Sequence, residues 1–520
     1  MGKLKQHGPT IILVALFGII VFTRLHTYRE PLERDITTYA VIAHEMLSGK
    51  ALYRDLWDHK PPAIHVTYAA AELIAGYGRN SIFLMNVAAA ALTMLACYWA
   101  GSGASGGRMA GCFAAALWAL TSGNLALEGN QPNTEVFLNV CLATAFGLLT
   151  RATTAKLGLP RAIMVGLLFG AASLYKYIVV VHAFLLIAVY LASCRPQSRK
   201  RALIECGMVA ATGVVIWGLV FAYFFSCGSG LAFVEAVFSY NRYYSSHGWD
   251  LNVMQTHGRL SLPPETFLVM LPLAIVALFG IVHGLMFERR ERWVLLVTYL
   301  IASGIVSVMP GWFFPHYFQL WLPALAIGSG WAVVSLKHAL PFRLAWVSHT
   351  AGSAACAAVV LMQIPDLLLP AEEWSVKKYG PIFVDTELMA NRINGLLPPD
   401  ASFYEWGDES GLYFSSKRRP LSGVLFSYPM VGGMLADKLS QCLLVDLERA
   451  KPELVVVSKV TLTATLPSHP IVQWLQDNYR VFANTPAFFL FARKQSSLDL
   501  AEVKQAEKRQ MPIATIQGVK

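Results

Sequence analysis

The chain has 520 residues, of which 55% are apolar and only 14% are charged. Soluble domains usually carry about 25% charged residues, so this composition excludes an ordinary soluble protein. The formal net charge of +10 does not indicate a nucleic-acid partner. The basic residues cluster between apolar runs, where Lys and Arg orient membrane helices. The eight cysteines show no CxxC pair and no metal-ligand spacing, which predicts neither a disulfide framework nor a zinc site.

Eleven apolar runs are candidates for crossing a bilayer, which takes about 20 residues, or about 17 in short cases. No small-residue cleavage site follows the first run, so we expect a retained first helix rather than a signal peptide. The predicted spans are 9–25, 81–103, 107–124, 134–150, 160–175, 177–194, 204–226, 266–287, 293–310, 315–335 and 344–364.

The distribution of Lys and Arg selects one orientation, with the N-terminus in the cytoplasm. Short connections on the other side, such as 123–133 and 311–315, are poor in both residues. The predicted outer segments are therefore 25–80, 228–265 and everything after about 365. The basic residues placed inside are Arg108, Arg151, Lys156, Arg161, Arg195, Arg199, Lys200, Arg201, Arg289, Arg290, Arg292, Lys337 and Arg343.

The first outer segment contains an apolar stripe with helical spacing. It predicts a short helix lying on the membrane surface, with Asp35 at its N-cap and Gly49 at its end. A second helix is expected after Pro61 and Pro62. The stripe comprises Ile36, Tyr39, Ala40, Ala43, Met46 and Leu47, and the residues facing away from it are Thr37, Thr38, His44, Glu45 and Ser48.

The C-terminal part has the composition of a small α/β domain, predicted over 366–495 after a membrane domain over 1–365 that includes the first outer segment. The last residues, 496–520, are polar, and we expect them to be disordered. The predicted strands are 402–406, 412–415 and 454–458, the predicted helices are 430–450 and 471–478, and a final hairpin covers 479–493.

The segment Tyr53–Pro62 is the strongest local signal for chemistry, because seven of its ten residues are charged or aromatic. Lys60 stands before two prolines, which hold the backbone rigid and extended. Its ammonium can pair with a phosphate as a point charge. The alternative is an interfacial loop whose charges meet lipid headgroups.

Two carboxylates are predicted on the same outer side. Asp35, at a helix start, could accept a proton from a hydroxyl, although Asp is also a favoured N-cap. Glu135 follows Asn133 and Thr134 at the mouth of the fourth span. There it could serve the same site or only complement the helix dipole.

Lys176 interrupts the apolar stretch 162–189, and a lysine at the bilayer centre is costly. It is therefore predicted in an outer turn between two short helices. His316 and Tyr317 open the tenth span on the same side, where the alternative is an interfacial aromatic belt. All these groups face one compartment, which suits a substrate with a lipid tail and an anionic head.

The motifs resemble the bacterial branch of the protein O-mannosyltransferase superfamily, which includes the aminoarabinose transferases of lipid A. The resemblance covers about residues 10–365 and implies the GT-C fold and a multi-pass location in the bacterial inner membrane. This chain has Ile36 and His59 where that family often has Glu. The matching motifs are Asp35-x-x-x-Tyr39, Ala43-x-Glu45-Met46-Leu47-x-Gly49, Leu52-Tyr53-x-Asp55, Lys60-Pro61-Pro62, Asn133-Thr134-Glu135, Leu174-Tyr175-Lys176 and Pro315-His316-Tyr317.

The resemblance also implies a reaction, the inverting transfer of a sugar from a polyprenyl-phosphate donor to a hydroxyl of a lipid, glycan or protein acceptor. Asp35 would act as the general base. No nucleotide and no obligatory metal are required, and a divalent metal remains an open question. The donor phosphate would be bound by Lys60, Lys176 and Tyr317, and the substrates would be positioned by Tyr39, Asp58, His59, Glu135 and His316.

Two other classes of protein would also suit part of this pattern. A transporter or flippase of a lipid-linked or anionic solute would suit eleven helices, but such proteins tend to show inverted repeats and polar groups at mid-membrane. The sequence shows no internal repeat, and its polar groups fall at one surface. A non-catalytic scaffold or sensor would not need both Asp35 and Lys60.

Overall fold

A computed structural model describes residues 2–103, 106–152, 157–194, 196–251, 263–288, 290–496 and 498. The chain forms two compact units. The first, called the membrane unit, comprises Met1–Glu30 and His59–Trp374, and the second, called the α/β unit, comprises Pro31–Asp58 and Ser375–Lys520. This division differs from the predicted domains, because part of the first outer segment belongs with C-terminal residues.

In the described residues of the membrane unit, the regular elements are all helices. Shorter 3₁₀ turns occur at Leu125–Leu127, Tyr177–Val179 and Pro315–Trp321, and Glu235–Tyr240 is a π-helix. The α-helices are Gly2–His26, Ala63–Ala75, Arg79–Ser102, Gly107–Thr121, Thr134–Ala152, Leu159–Ser173, Val180–Ser193, Arg199–Ser226, Gly230–Val234, Asn241–Gly248, Pro264–Phe287, Arg290–Val308, Leu322–Ala339 and Trp346–Leu367, with Ala371–Tyr379 crossing into the α/β unit.

A helix stands at each of the eleven predicted spans. In the described part of the chain, eight are long and apolar enough to cross a membrane. The helices at 107–124, 160–175 and 177–194 are shorter, with 15, 15 and 14 residues. The eight long segments are His7–His26, Arg79–Ser102, Thr134–Ala152, Arg199–Ser226, Pro264–Phe287, Arg290–Val308, Pro315–Ala339 and Trp346–Leu367. The chain is a multi-pass membrane protein, as predicted.

Small residues bring the central membrane helices close together. Leu322–Ala339 is buried along most of its length, and it packs on Gly107–Thr121 and Pro264–Phe287. A Cβ atom added at Gly330 would collide with the backbone carbonyl of Ala110. Close backbone approach through small residues is the usual way in which membrane helices associate.

The α/β unit contains one four-stranded sheet. Its strands are β1 (Phe403–Trp406), β2 (Leu454–Ser458), β3 (Tyr479–Asn484) and β4 (Phe488–Arg493), in the order β1-β2-β4-β3. The β1–β2 pair is parallel and the other two pairs are antiparallel. The helices of this unit are Arg34–Leu47, Ile382–Leu396, Gly411–Ser416, Tyr428–Val431, Ala436–Ala450, Lys459–Ala464 and Pro470–Asn478.

Most predicted elements of this unit are present, and two are wrong. The segment 412–415 was predicted as a strand but lies in the helix Gly411–Ser416, because a short run of buried apolar residues fits either structure. The predicted helix 430–450 begins only at Ala436, since Gly432 and Gly433 interrupt it and Gly433 has a φ of 109°. The predicted tail 496–520 lies almost wholly outside the described residues.

A helix is present where the surface helix was predicted, at Arg34–Leu47, but one detail of the prediction is wrong. Glu33 stands at the N-cap position and Asp35 lies in the first turn. The polar residues Thr37, Thr38 and Glu45, which were predicted to face away from the apolar stripe, are buried. Bonds to other residues of the α/β unit account for this burial, as described below.

Candidate functional site

In the membrane unit, Lys176 lies at the centre of the candidate site. It stands in the break between the helix Leu159–Ser173 and the turn Tyr177–Val179, as predicted. Its Nζ atom is 2.6 Å from Oε1 of Glu135, which is fully buried. The same ammonium lies 3.6 Å from the ring centroid of Tyr317. A lysine, a carboxylate and an aromatic ring from three distant motifs thus meet at one point.

Neighbouring side chains hold this break in place. The hydroxyl groups of Tyr175 and Thr67 are 2.6 Å apart, and the Tyr175 ring stacks on Phe137 with a centroid distance of 5.4 Å. Phe137 and Glu135 lie in the first turn and a half of the helix Thr134–Ala152. The conformation at Lys176 is therefore coupled to the helix that carries its carboxylate partner.

The loop that carries Lys60 joins the same set. The N–H of Ala63, just after the two prolines, donates to the carbonyl of Leu174 at 3.0 Å. The Lys60 loop is thus connected to the Lys176 break.

His59 and His316 are fixed by different partners. The His59 ring lies 5.8 Å from Tyr240 and 5.2 Å from Tyr244. Nδ1 of His316 lies 2.7 Å from Oε2 of Glu128, so a shared proton or an ion pair holds that ring. Glu128 was not among the predicted site residues, although it is the sole acidic residue of the outer connection 123–133.

This arrangement can bind an anion. An ammonium has three N–H donors, so Lys176 can bind a carboxylate and a phosphate oxygen at once. A cation over an aromatic face is further stabilised by the ring quadrupole. Of the predicted site residues, the structure brings together Glu135, Lys176, His316 and Tyr317, and the loop that carries Lys60 is bonded to the Lys176 break.

The α/β unit contains three of the predicted site residues, Asp35, Tyr39 and Asp58. Asp35 is half-buried and its Oδ2 accepts from the hydroxyl of Tyr39 at 3.3 Å. Asp58 is buried. Burial and then the charge of Asp58 raise the pKa of Tyr53 well above its usual value. Because Glu33 and not Asp35 is the N-cap, helix capping does not explain why an aspartate stands at position 35.

Arg34, next to Asp35, pairs with Glu409, whose Oε1 is 2.8 Å from Nη2 of the arginine. Glu409 contributes most to raising the pKa of Arg34, burial opposes it, and Asp408 and Asp35 add to the increase. Burial in turn raises the pKa of Glu409, although Arg34 acts in the opposite direction. The start of the Asp35 helix is therefore fixed by charge.

The polar face of the helix Arg34–Leu47 is bound by residues about 370 positions later in the chain. The hydroxyls of Thr37 and Thr38 lie 2.9 and 2.6 Å from that of Ser410. Arg419 donates two hydrogen bonds to Glu45, at 2.7 and 2.8 Å. No sequence signal pairs Ser410 or Arg419 with this helix, because the pairing is long-range.

Burial alone would raise the pKa of Glu45. The hydrogen bonds and charges of Arg419 and Lys50 outweigh that effect, so the pKa lies below its usual value. Glu45 is thus an ionised, fully buried carboxylate with two cationic partners. Within the described residues, no group of three or more His, Cys, Asp or Glu side chains could hold a metal ion.

Several solved structures are similar to this chain in fold. ArnT from Cupriavidus metallidurans bound to undecaprenyl phosphate has a TM-score of 0.60 and 17% identity, covering 95% of this chain and 99% of ArnT. The chain has the GT-C fold. Apo ArnT gives a TM-score of 0.55 and 15% identity, with coverages of 94% and 98%. This result confirms the GT-C fold that the sequence predicted.

A more distant GT-C structure is the oligosaccharyltransferase of Archaeoglobus fulgidus in complex with Zn and sulfate. Its TM-score is 0.51 at 14% identity, and the match covers 93% of this chain and 73% of that one. No protein-family model matches the chain, and no curated protein matches it.

Proposed function

We propose that this protein is a glycosyltransferase that moves a hexose or pentose from a polyprenyl-phosphate donor to an acceptor hydroxyl, with inversion. The observation that carries the proposal is the meeting of Lys176, Glu135 and Tyr317 beside the Lys60 loop. Such a set suits a lipid phosphate at a membrane surface. ArnT, which has the same fold, was crystallised with undecaprenyl phosphate.

In this mechanism the donor phosphate leaves as a dianion on its lipid. Lys60 and Lys176 neutralise the developing charge, an electrostatic effect that is large in a dry site. Tyr317 holds the Lys176 ammonium through its ring face. Glu135 keeps Lys176 oriented while the site is empty, and His316 and His59 position the sugar.

The proton of the acceptor hydroxyl needs a base. We assign that role to Asp35, with Tyr39 orienting its carboxylate through the hydrogen bond to Oδ2. A positioned carboxylate contributes about 10²–10⁴-fold to such reactions. Asp58, which is buried, helps to position the substrates. The assignment rests on the surroundings of Asp35 and on its motif.

The proposal is tested with purified protein in proteoliposomes. We expect sugar to be released from a polyprenyl-phosphate sugar and not from a nucleotide sugar, because the predicted site faces away from the cytoplasm. Turnover with the nucleotide sugar alone would contradict the donor class. Movement of the intact donor across the bilayer without sugar release would instead indicate a flippase.

We also propose a location in the bacterial inner membrane, with the N-terminus in the cytoplasm and the α/β unit outside. Reporter fusions after Arg201, Arg292 and Arg343 should read cytoplasmic. Fusions after Asp250 and Gln495 should read extracytoplasmic. A cytoplasmic reading after Gln495 would refute the proposal, because the unit that carries Asp35 would then face the wrong compartment.

A further inference from the structure

A row of aromatic rings leads away from the Lys176 site in the membrane unit. Tyr244 and Trp312 stack with a centroid distance of 4.8 Å and an interplanar angle of 21°. The planes of Trp312 and Phe314 are 4° apart at 6.3 Å, and those of Phe314 and His316 are 7° apart at 5.7 Å. The row ends where His316 contacts Tyr317, the ring that lies under Lys176.

The backbone is strained where it carries this row. Trp312, Phe314 and His316 are alternate residues, and Phe313 between the first two has a φ of 49°. A bulky residue with positive φ is an outlier. Such strain persists where the surroundings impose it, often at ligand sites. The backbone conformation that carries Trp312 and Phe314 is therefore imposed by its surroundings.

The row is buried at the end that meets the Lys176 site and partly accessible along the rest of its length. Tyr244, Trp312 and Phe314 are half-buried, whereas His316 and Tyr317 are buried. The indole N–H of Trp312 donates to the carbonyl of Tyr244 at 3.2 Å, which fixes the plane of that ring. Rings that are already fixed lose little entropy when a ligand binds.

We propose that Tyr244, Trp312 and Phe314 form a stacking platform for pyranose rings, so that the acceptor of the transfer is a carbohydrate. This inference rests on the proposed function and names its acceptor class. The face of an aromatic ring is negative and attracts the polarised C–H face of a sugar. Polar side chains on the adjacent helix Asn241–Gly248 can bind the sugar hydroxyls.

An interfacial aromatic belt explains these rings less well. Such belts are enriched in Trp and Tyr, whose polar tips reach the headgroups. Phe314 has no polar tip, and the N–H of Trp312 is already bonded within the protein. A polyprenyl chain is also a poor fit, because Asn241, Arg242 and His247 make the neighbouring helix polar.

The length of the row favours the acceptor over the donor sugar. A donor sugar is joined directly to its phosphate and must lie at Lys176 and Lys60 themselves. The platform instead extends from His316 through three further rings. It is longer than one pyranose ring, so it suits an acceptor with more than one sugar unit.

Direct binding tests the inference without a donor. Full-length protein in nanodiscs is examined by saturation-transfer NMR with gluco-, manno- and galacto-configured tetrasaccharides and with a Ser/Thr-rich peptide. At least one tetrasaccharide should receive saturation on its ring C–H protons. Binding of the peptide alone, or of no tetrasaccharide, overturns the inference. Failure of sugar release from the lipid donor would instead affect only the proposed function.

Substitutions locate the binding. Phe314→Leu and Trp312→Leu should each raise the dissociation constant of the tetrasaccharide by about tenfold, whereas Phe314→Tyr should retain most of the affinity. Trp249→Leu is the matched control, because Trp249 is exposed nearby and its ring contacts Phe313 outside the row. Equal loss in the control, or no loss in Phe314→Leu, contradicts the platform.

Kinetics separate acceptor from donor contacts. With a bound tetrasaccharide as acceptor, Phe314→Leu should raise its half-saturating concentration by about tenfold. The half-saturating donor concentration should rise much less. A rise confined to the donor would show that the rings contact the sugar or lipid of the donor, and it would overturn the inference.

Discussion

Buried charges are handled differently in the two units of this protein. In the membrane unit Glu135 has one close cation, Lys176, at a break between helices. In the α/β unit Glu45 has two, and it anchors a whole helix to residues far along the chain. The pair of Lys176 and Glu135 leaves an ammonium at the edge of a site. The pairs made by Glu45 only stabilise the structure of the α/β unit. Buried ion pairs therefore indicate binding only where one partner remains within reach of a ligand.

The segment Tyr53–Pro62 crosses from one unit to the other. Tyr53 and Asp58 belong to the α/β unit, and His59 and Lys60 belong to the membrane unit. The strongest motif of the sequence is thus a connection between two folding units. Substitutions that remove a charge from each unit test whether the buried ion pair serves binding in the membrane unit and structure in the α/β unit.

The largest effect is expected at Lys176. Lys176→Met would leave Glu135 buried without its close cation, which typically costs about 3–5 kcal/mol. The melting temperature in detergent should fall markedly, and so should sugar transfer. The double variant Lys176→Met, Glu135→Gln should recover most of the stability, since neither buried charge then remains.

The double variant also separates structure from function. If Lys176 binds the donor phosphate, transfer should stay low even when stability returns. Full recovery of transfer would show that Lys176 is only structural. Lys337→Met is the matched control, because that lysine is exposed near the end of the helix Leu322–Ala339.

The next largest effect is expected at Asp35. Asp35→Asn keeps the size of the side chain and an oxygen that can accept from Tyr39, but it removes the base. Turnover at saturating donor and acceptor should fall by about 10²-fold or more, with little change in melting temperature. Asp385→Asn is the control, because Asp385 also lies in the first turn of a helix in the α/β unit.

Turnover of Asp35→Asn within about threefold of the parent would remove Asp35 from the mechanism. Glu135 would then be the next carboxylate to examine as the base. An equal loss of turnover in Asp385→Asn would mean that removing an acidic side chain from the first turn of any helix in this unit lowers activity.

Sequence reasoning predicted the membrane unit well because its signals are local. Apolar runs predict helices, and a lysine within such a run predicts a break, as found at Lys176. The contact of Lys176 with Glu135 was not predicted as a pair, although both residues were singled out. In the α/β unit the partners Glu45 and Arg419 are separated by 374 residues, and no periodicity reports such a contact. The burial of the polar face of this helix was therefore not predicted.

A smaller effect is expected at Arg419. Arg419→Ala removes two charge-assisted hydrogen bonds from Glu45 while Lys50 remains, which should cost about 1.5–2 kcal/mol of stability at neutral pH. Because the cations lower the pKa of Glu45, their stabilisation is present above its unfolded pKa and is lost as the pH falls.

The difference in stability between the parent and Arg419→Ala should therefore shrink as the pH falls below about 4. Melting temperatures measured across this range check the prediction. Arg449→Ala, an exposed arginine of the same unit, should change stability little at any pH. A gap that is independent of pH would mean that the packing of Arg419, and not its charge, stabilises the unit.

The smallest effect, with the opposite sign, is expected at Glu405, which lies in β1 and is buried. In the described part of the chain its Oε2 has no hydrogen-bond partner. Burial, and then the charges of Glu409 and Asp408, raise the pKa of Glu405 well above its usual value.

The folded protein therefore holds a proton that the unfolded chain releases above about pH 4.3. Folded stability must consequently fall as the pH rises from that value towards the raised pKa. Glu405→Gln mimics the protonated form, so it should stabilise the protein at neutral pH and not at pH 4. Destabilisation by Glu405→Gln at neutral pH would show that the carboxylate is ionised in the fold, as Glu45 is.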